Sequence, residues 1–103
     1  QTNIPTVIVS LGEKGMLAGY DEGIWKLTVP MESNEVFDTV GCGDAMVGGL
    51  VYGWYRGSRG EEVFRQSIAW ASAAALQVGP ANLRAEDVRT MLERVQSQRI
   101  GEW

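Results

Sequence analysis

The sequence predicts a single domain of the α/β or α+β class spanning residues 1–103, and three observations carry that expectation. The chain opens on a β-branched run, Thr6-Val7-Ile8-Val9-Ser10-Leu11, with no polar alternation. Two further strand-like runs follow, separated by a turn signal. Helix-like stretches then occupy residues 45–95. By order alone this is α/β or α+β. The doubly apolar first strand fits one covered on both faces, as in a parallel sheet, and leaves both classes open.

The 103 residues suffice for one modest core, and 45% of them are hydrophobic, which argues against wholesale disorder. The net charge of −4 disfavours a nucleic-acid partner, since such proteins carry basic patches. With no histidine, a Ser-His or Cys-His mechanism has no base within this chain. Cys42 is the single cysteine. An intramolecular disulfide is therefore excluded, which is compatible with a reducing cytoplasm. The N-terminus has no signal-like run, and the apolar stretch Ala45–Tyr55 is too short to span a membrane. The chain does not begin with methionine, as a piece of a longer protein or a processed one would not.

Each element has a local reason. Gly12 and Gly15 bracket Glu13-Lys14 and read as a tight turn. Met16–Tyr20 and Ile24–Val29 read as strands joined through Asp21-Glu22-Gly23. On the second strand Trp25, Leu27 and Val29 share one face; Ile24, Lys26 and Thr28 share the other. Pro30 ends it. Ala45 to about Tyr55 is apolar nearly all round and reads as a deeply buried helix. Its Gly48, Gly49 and Gly53 make sense where other backbone packs closely. Gly57-Ser58-Arg59-Gly60 breaks the chain. Glu61 to about Gln77 reads as a second helix, with Phe64, Ile68, Ala71 and Ala75 on one face, stopped by Gly79-Pro80. Val88, Met91, Leu92 and Val95 mark a third, amphipathic helix. One parallel-type strand cannot form a doubly covered sheet alone, so its partners are either unrecognised strands or outside the chain.

The chemistry concentrates at Asp38-Thr39-Val40-Gly41-Cys42-Gly43-Asp44. Two glycines around one small residue let consecutive N–H groups point into one concavity. A helix start just beyond adds orphan donors and partial positive charge. Such a nest binds phosphate oxygens and stabilises a phosphoryl group in flight. Asp44 at its rim can accept the proton of an attacking alcohol, a contribution of about 10²–10⁴-fold. The competing reading makes Asp44 a helix cap.

Asp38-Thr39-Val40-Gly41-Cys42-Gly43-Asp44-Ala45-Met46 resembles the C-terminal signature of the ribokinase-like, or PfkB, carbohydrate kinases, commonly Asp-Thr-x-Gly-Ala-Gly-Asp. Val9-Ser10-Leu11-Gly12-Glu13-Lys14-Gly15 is similar to that family's strand and turn near the nucleotide. Ala69-Trp70-Ala71-Ser72-Ala73-Ala74-Ala75 resembles its small-residue helix beside adenine. The resemblance implies the C-terminal, nucleotide-binding part of a three-layer fold, a mostly parallel sheet flanked by helices. It implies transfer of the ATP γ-phosphate to a sugar or sugar-phosphate hydroxyl with Mg²⁺. Gly41, Cys42 and Gly43 would form the anion hole and Asp44 the base. Ser10, Gly12, Gly15, Ala71 and Ala74 would lie near the nucleotide. Asp38 and the carbonyl of Val40 match ligand positions for a monovalent cation such as K⁺. The stretch Val40–Gly49 is most similar to the 1-phosphofructokinase and tagatose-6-phosphate kinase subgroup, whose acceptors are fructose 1-phosphate and tagatose 6-phosphate.

Two departures stand out. Cys42 replaces the usual alanine; a helix N-terminus can activate a thiol, but no histidine is present to serve it. Members of the family are also much longer, and their N-terminal portion, which holds the sugar site, the lid and an acidic motif for Mg²⁺, has no counterpart here. The isolated chain is therefore expected to be inactive alone.

Other residues have plain readings. Trp25, Trp54, Trp70 and Trp103 suit packing better than base or sugar stacking. Asp38 also suits a turn cap. Lys14, Arg56 and Arg59 suit solvated turns. Two further functions compete with the kinase: a non-catalytic nucleotide- or phosphate-binding module, and a structural piece used in homodimer contacts.

Overall fold

The computed structural model describes residues 6–11, 14–20, 23–32, 34, 36, 41–58, 60–76 and 83–102. The elements run β1 (Thr6–Ser10), β2 (Met16–Tyr20), β3 (Gly23–Thr28), α1 (Cys42–Tyr55), α2 (Glu61–Ala75), α3 (Ala85–Arg94) and β4 (Gln96–Glu102).

The strands form one sheet in the order β1-β2-β3-β4, with every neighbouring pair antiparallel. The α/β class holds, but the parallel pairing expected for β1 is not found among the described residues. β1 runs antiparallel to β2, from Thr6 opposite Tyr20 to Ser10 opposite Met16. Its other edge is unpaired among the described residues, and Val9 is 49% exposed. The lack of polar alternation in β1 reports two apolar faces, and these strands cover neither fully.

The turn from β1 to β2 closes through the Leu11 amide donating to the Gly15 carbonyl at 2.8 Å. Gly15 has φ 100°, and a Cβ there would lie 2.2 Å from the Leu27 carbonyl oxygen. Glycine is thus required twice, by conformation and by the approach of β3. Tyr20 pairs with Gly23, so the two strands are antiparallel neighbours as the Asp21-Glu22-Gly23 signal predicts; Asp21 and Glu22 themselves lie outside the described residues.

Met16, Ala18 and Leu27 project from one face of the sheet onto Phe64, Ile68 and Ala73 of α2. Full burial of Leu27 or Phe64 contributes about 1.5–3 kcal/mol each. Phe64 meets Tyr20 edge to face, with ring centroids 6.0 Å apart. α3 adds Val88 and Met91 to the same core. Glu61 and Glu62 sit in the first turn of α2, where the helix dipole favours carboxylates.

Strand β4 is absent from the sequence-based expectation. Gln96-Ser97-Gln98-Arg99-Ile100-Gly101-Glu102 has no apolar alternation, and most of these residues are exposed. Its extended state comes from outside the segment. It pairs with β3, and the Ser97 hydroxyl is bonded to the Glu61 carboxylate at the start of α2.

α1 corrects a second expectation. Only Gly49 and Gly53 of this helix are buried. Val47, Val51, Trp54 and Tyr55 are exposed, because α2 covers one side of α1 and no described element covers the other. The glycines do what their positions imply. A Cβ on Gly49 would lie 2.7 Å from the Gln66 carbonyl oxygen, one on Gly48 3.2 Å from the Trp70 ring, and one on Gly53 3.3 Å from the Val63 Cα.

Candidate functional site

Gly41 is the N-cap of α1 in the left-handed conformation, φ 86° and ψ −4°. That geometry is open to glycine and strained for most other residues. The first helical bond runs from the Ala45 amide to the Gly41 carbonyl at 2.9 Å. No side chain caps the helix, so the capping role weighed for Asp44 is not used. Asp44 stands three residues past the cap with its side chain exposed. The amides of Gly43 and Asp44 find no acceptor among the described residues, as helix geometry dictates for a first turn.

Gly43 has an informative environment. A Cβ built there meets nothing within 4 Å, and its backbone is helical. Among the described residues, neither packing nor conformation demands glycine at that position. An alanine would be the better helix former by about 1 kcal/mol.

Helix periodicity of about 100° per residue separates the motif's side chains. Cys42 falls in phase with Gly49 and Gly53, on the side that packs against α2, and is half-buried. Asp44 falls on the opposite, exposed side. Thiol and carboxylate therefore point apart, against a shared catalytic role.

The helix pair also gathers residues distant in sequence. Gly53 lies against Val63, Gly49 against Ser67 and Gly48 against Trp70. This antiparallel register runs the C-terminal end of α2, in which Ala71 and Ala74 are buried, toward the first turn of α1. Ala74 shares a helix face with Val63, Ser67 and Trp70. Ser67, not foreseen as important, donates from Oγ to the Met46 carbonyl at 2.8 Å and pins α1 close to Asp44.

The remaining candidates are less connected. Ser10 is exposed at the end of β1, and Gly15 is occupied by its turn. No described hydrogen bond joins either to Gly41, Gly43 or Asp44. Gly12, Asp38 and Val40 lie outside the described residues, as do Arg59, Gly79-Pro80 and Trp103. Among the described residues no group of three or more carboxylate, cysteine or histidine side chains could hold a metal ion. No described helix is long and apolar enough to cross a membrane. An open groove of about 450 Å³ is lined by Lys26, Thr28, Gln96, Ser97 and Gln98 on β3 and β4 and contains none of the candidate residues.

The family model for pfkB family carbohydrate kinases matches residues 1–87. The chain belongs to this family. Among pfkB relatives, a 1-phosphofructokinase from Haemophilus influenzae is 38% identical over 97 residues, 90% of this chain and 29% of that protein. The fold agrees with solved pfkB-type structures. A Staphylococcus aureus protein described as a phosphofructokinase superposes with a TM-score of 0.84 and 28% identity, over 96% of this chain and 31% of the other. Phosphofructokinase-2 from Escherichia coli, in complex with potassium, gives a TM-score of 0.78 and 30% identity over 86% of this chain and 28% of that one. The chain thus spans under a third of the length of the pfkB proteins it matches.

Proposed function

We propose that this chain is the nucleotide-binding and phosphoryl-transfer portion of a longer, cytoplasmic sugar-phosphate kinase. The observation that carries the reading is the exposed Asp44 in the first turn of a helix whose left-handed N-cap, Gly41, leaves the terminus uncapped. The open, helical Gly43 supports it. The backbone of Gly41, Cys42 and Gly43 forms the anion hole for the ATP γ-phosphate, with the helix dipole behind it. Asp44 takes the proton of the acceptor hydroxyl. The acceptor oxygen forms a bond to phosphorus as the bond to the leaving β-phosphate oxygen breaks, and ADP departs.

The acceptor is fructose 1-phosphate, in keeping with the 1-phosphofructokinase relative, with tagatose 6-phosphate as the second candidate. Ala71 and Ala74 give the adenine a flat, small-residue wall beside the nest, while Ser10 and Gly12 flank the phosphates. A K⁺ site at Asp38 and Val40 is in keeping with the potassium complex of the Escherichia coli structure. The described residues do not fit a divalent-metal site, and Mg²⁺ enters this reading only as the partner of ATP.

The test is a chimera in which this chain replaces the matching segment of the Haemophilus influenzae relative. Asp44→Asn removes nearly all turnover and leaves ATP affinity within a few-fold. Retained turnover ends the assignment of the base. A chimera that binds ATP but phosphorylates neither acceptor reduces the chain to a nucleotide-binding module. The 103-residue chain by itself turns over no sugar.

A further inference from the structure

The sheet face turned away from α2 changes character across its width. By alternation and register it carries Val7 and Val9 of β1, Leu17 of β2 and Ile24 of β3, then Lys26 and Thr28 of β3 beside Gln98 and Gln96 of β4. The last four form two cross-strand pairs, Lys26 with Gln98 and Thr28 with Gln96, whose Cβ atoms stand about 5 Å apart. They wall the open groove of about 450 Å³, a volume in the range of small-ligand sites. Ser97 stands opposite the buried Leu27 with its hydroxyl engaged by Glu61, so it meets the groove through its main chain. The Thr28 methyl lies on the β2 side, beside Gly15, which turns its hydroxyl away from β2. α2 covers the other face of the sheet and α1 packs on α2, so the groove and the Gly41–Asp44 nest lie in different layers.

The lining selects a chemistry. Among the described residues that line the groove there is no carboxylate and no aromatic ring, although the chain carries 13 acidic residues against 9 basic ones. The Lys26 ammonium is the one charge in that lining, and it can hold an anionic group in a charge-assisted hydrogen bond. The two carboxamides and the Thr28 hydroxyl both donate and accept. They suit a body rich in hydroxyls and offer nothing to an apolar or planar ring. A bare phosphate would leave the carboxamides unused, and a neutral sugar would leave the ammonium unused. We propose that this groove is a binding site for a small phosphorylated polyol, with Lys26 on the phosphate and Thr28, Gln96 and Gln98 on the hydroxyls. The site is additional to the phosphoryl-transfer site and uses none of its residues.

The test is an NMR titration of the ¹⁵N-labelled 103-residue chain with fructose 1-phosphate, inorganic phosphate and fructose as three separate arms. The ester is expected to give saturable shifts at the Gln96 and Gln98 side-chain amides and at the Lys26 and Thr28 backbone amides, with a Kd of about 1 mM or below. Phosphate and fructose each bind at least about ten-fold more weakly. Lys26→Gln weakens the ester by at least about ten-fold. Arg89→Gln, which removes the same charge from an exposed position on α3, leaves it within about two-fold. No saturation by about 10 mM ester overturns the proposal, as do shifts confined to Gly41–Ala45. Equal binding of phosphate or of fructose overturns it too, and so does an equal loss in Lys26→Gln and Arg89→Gln. As a second measurement, the ester raises the melting temperature of the chain and of its Asp44→Asn variant alike, and not that of Lys26→Gln. A rise abolished by Asp44→Asn places the ester at the nest and overturns the groove, whereas failure of Asp44 as the base leaves all of these readings unchanged.

Discussion

The Ser67 hydroxyl donates a 2.8 Å hydrogen bond to the main-chain carbonyl of Met46. Ser67 is fully buried, and the bond crosses from α2 to α1 where Gly49 lets the two backbones approach. Ser67→Ala keeps the close packing and removes the bond. It is expected to destabilise the chain by about 1 kcal/mol, read from the urea midpoint at unchanged slope.

Gly49→Ala and Gly43→Ala are the same change in the same helix and should have opposite signs. At Gly49 the new methyl would meet the Gln66 carbonyl oxygen at 2.7 Å, and overpacking of this kind costs about 1–3 kcal/mol. At Gly43 nothing lies within 4 Å, so alanine stabilises by up to about 1 kcal/mol through helix propensity. In the chimeric enzyme the stabilised Gly43→Ala variant should nevertheless lose turnover, because the methyl fills the approach to the nest. Denaturation and steady-state kinetics on both variants check the pair.

Trp70 packs its ring against Gly48 and lies 5.4 Å from the Tyr52 ring. Its Nε1 is buried and has no hydrogen-bond partner among the described residues, a cost of about 1–3 kcal/mol in this arrangement. Trp70→Phe removes that donor and keeps most of the ring, so it should cost far less than Trp70→Ala, for which about 3–5 kcal/mol is expected. Thermal melts of the two variants decide it. Equal losses would mean that the indole nitrogen carries a stabilising contact.

Cys42 lies in phase with the helix face against α2, away from Asp44. Cys42→Ala should leave kcat of the chimera within about two-fold. A thiol-blocking reagent should leave the alanine variant's rate unaffected. A loss of rate comparable to that of Asp44→Asn would return the cysteine to the chemistry.

The glycines of α1 were legible in the sequence because three glycines in an apolar helical run point to one cause, the close approach of another backbone. The structure shows α2 against all three. The hairpin and the core face of α2 were likewise legible, each being a short-range pattern with a single physical origin. Burial of α1 and the partners of β1 were not legible. Hydrophobicity states that a surface should be covered but not by what, and the described residues lack the covering layer. β4 was missed because its strand character resides in β3 and Glu61, not in its own residues. At the site, Gly41, Gly43 and Asp44 could be read locally. Where Ala71 and Ala74 stand relative to them could not, since it depends on the register of two helices.

The pairing of β3 with β4 joins Gly23 to Glu102 and Thr28 to Gln96, positions roughly 70–80 residues apart, and such long-range closures are slow steps in folding. During synthesis β3 waits with one edge bare until residues 96–102 have left the ribosome. Their emergence sets the moment at which β3 gains its second neighbour, and a stop codon at Gln96 would remove that strand.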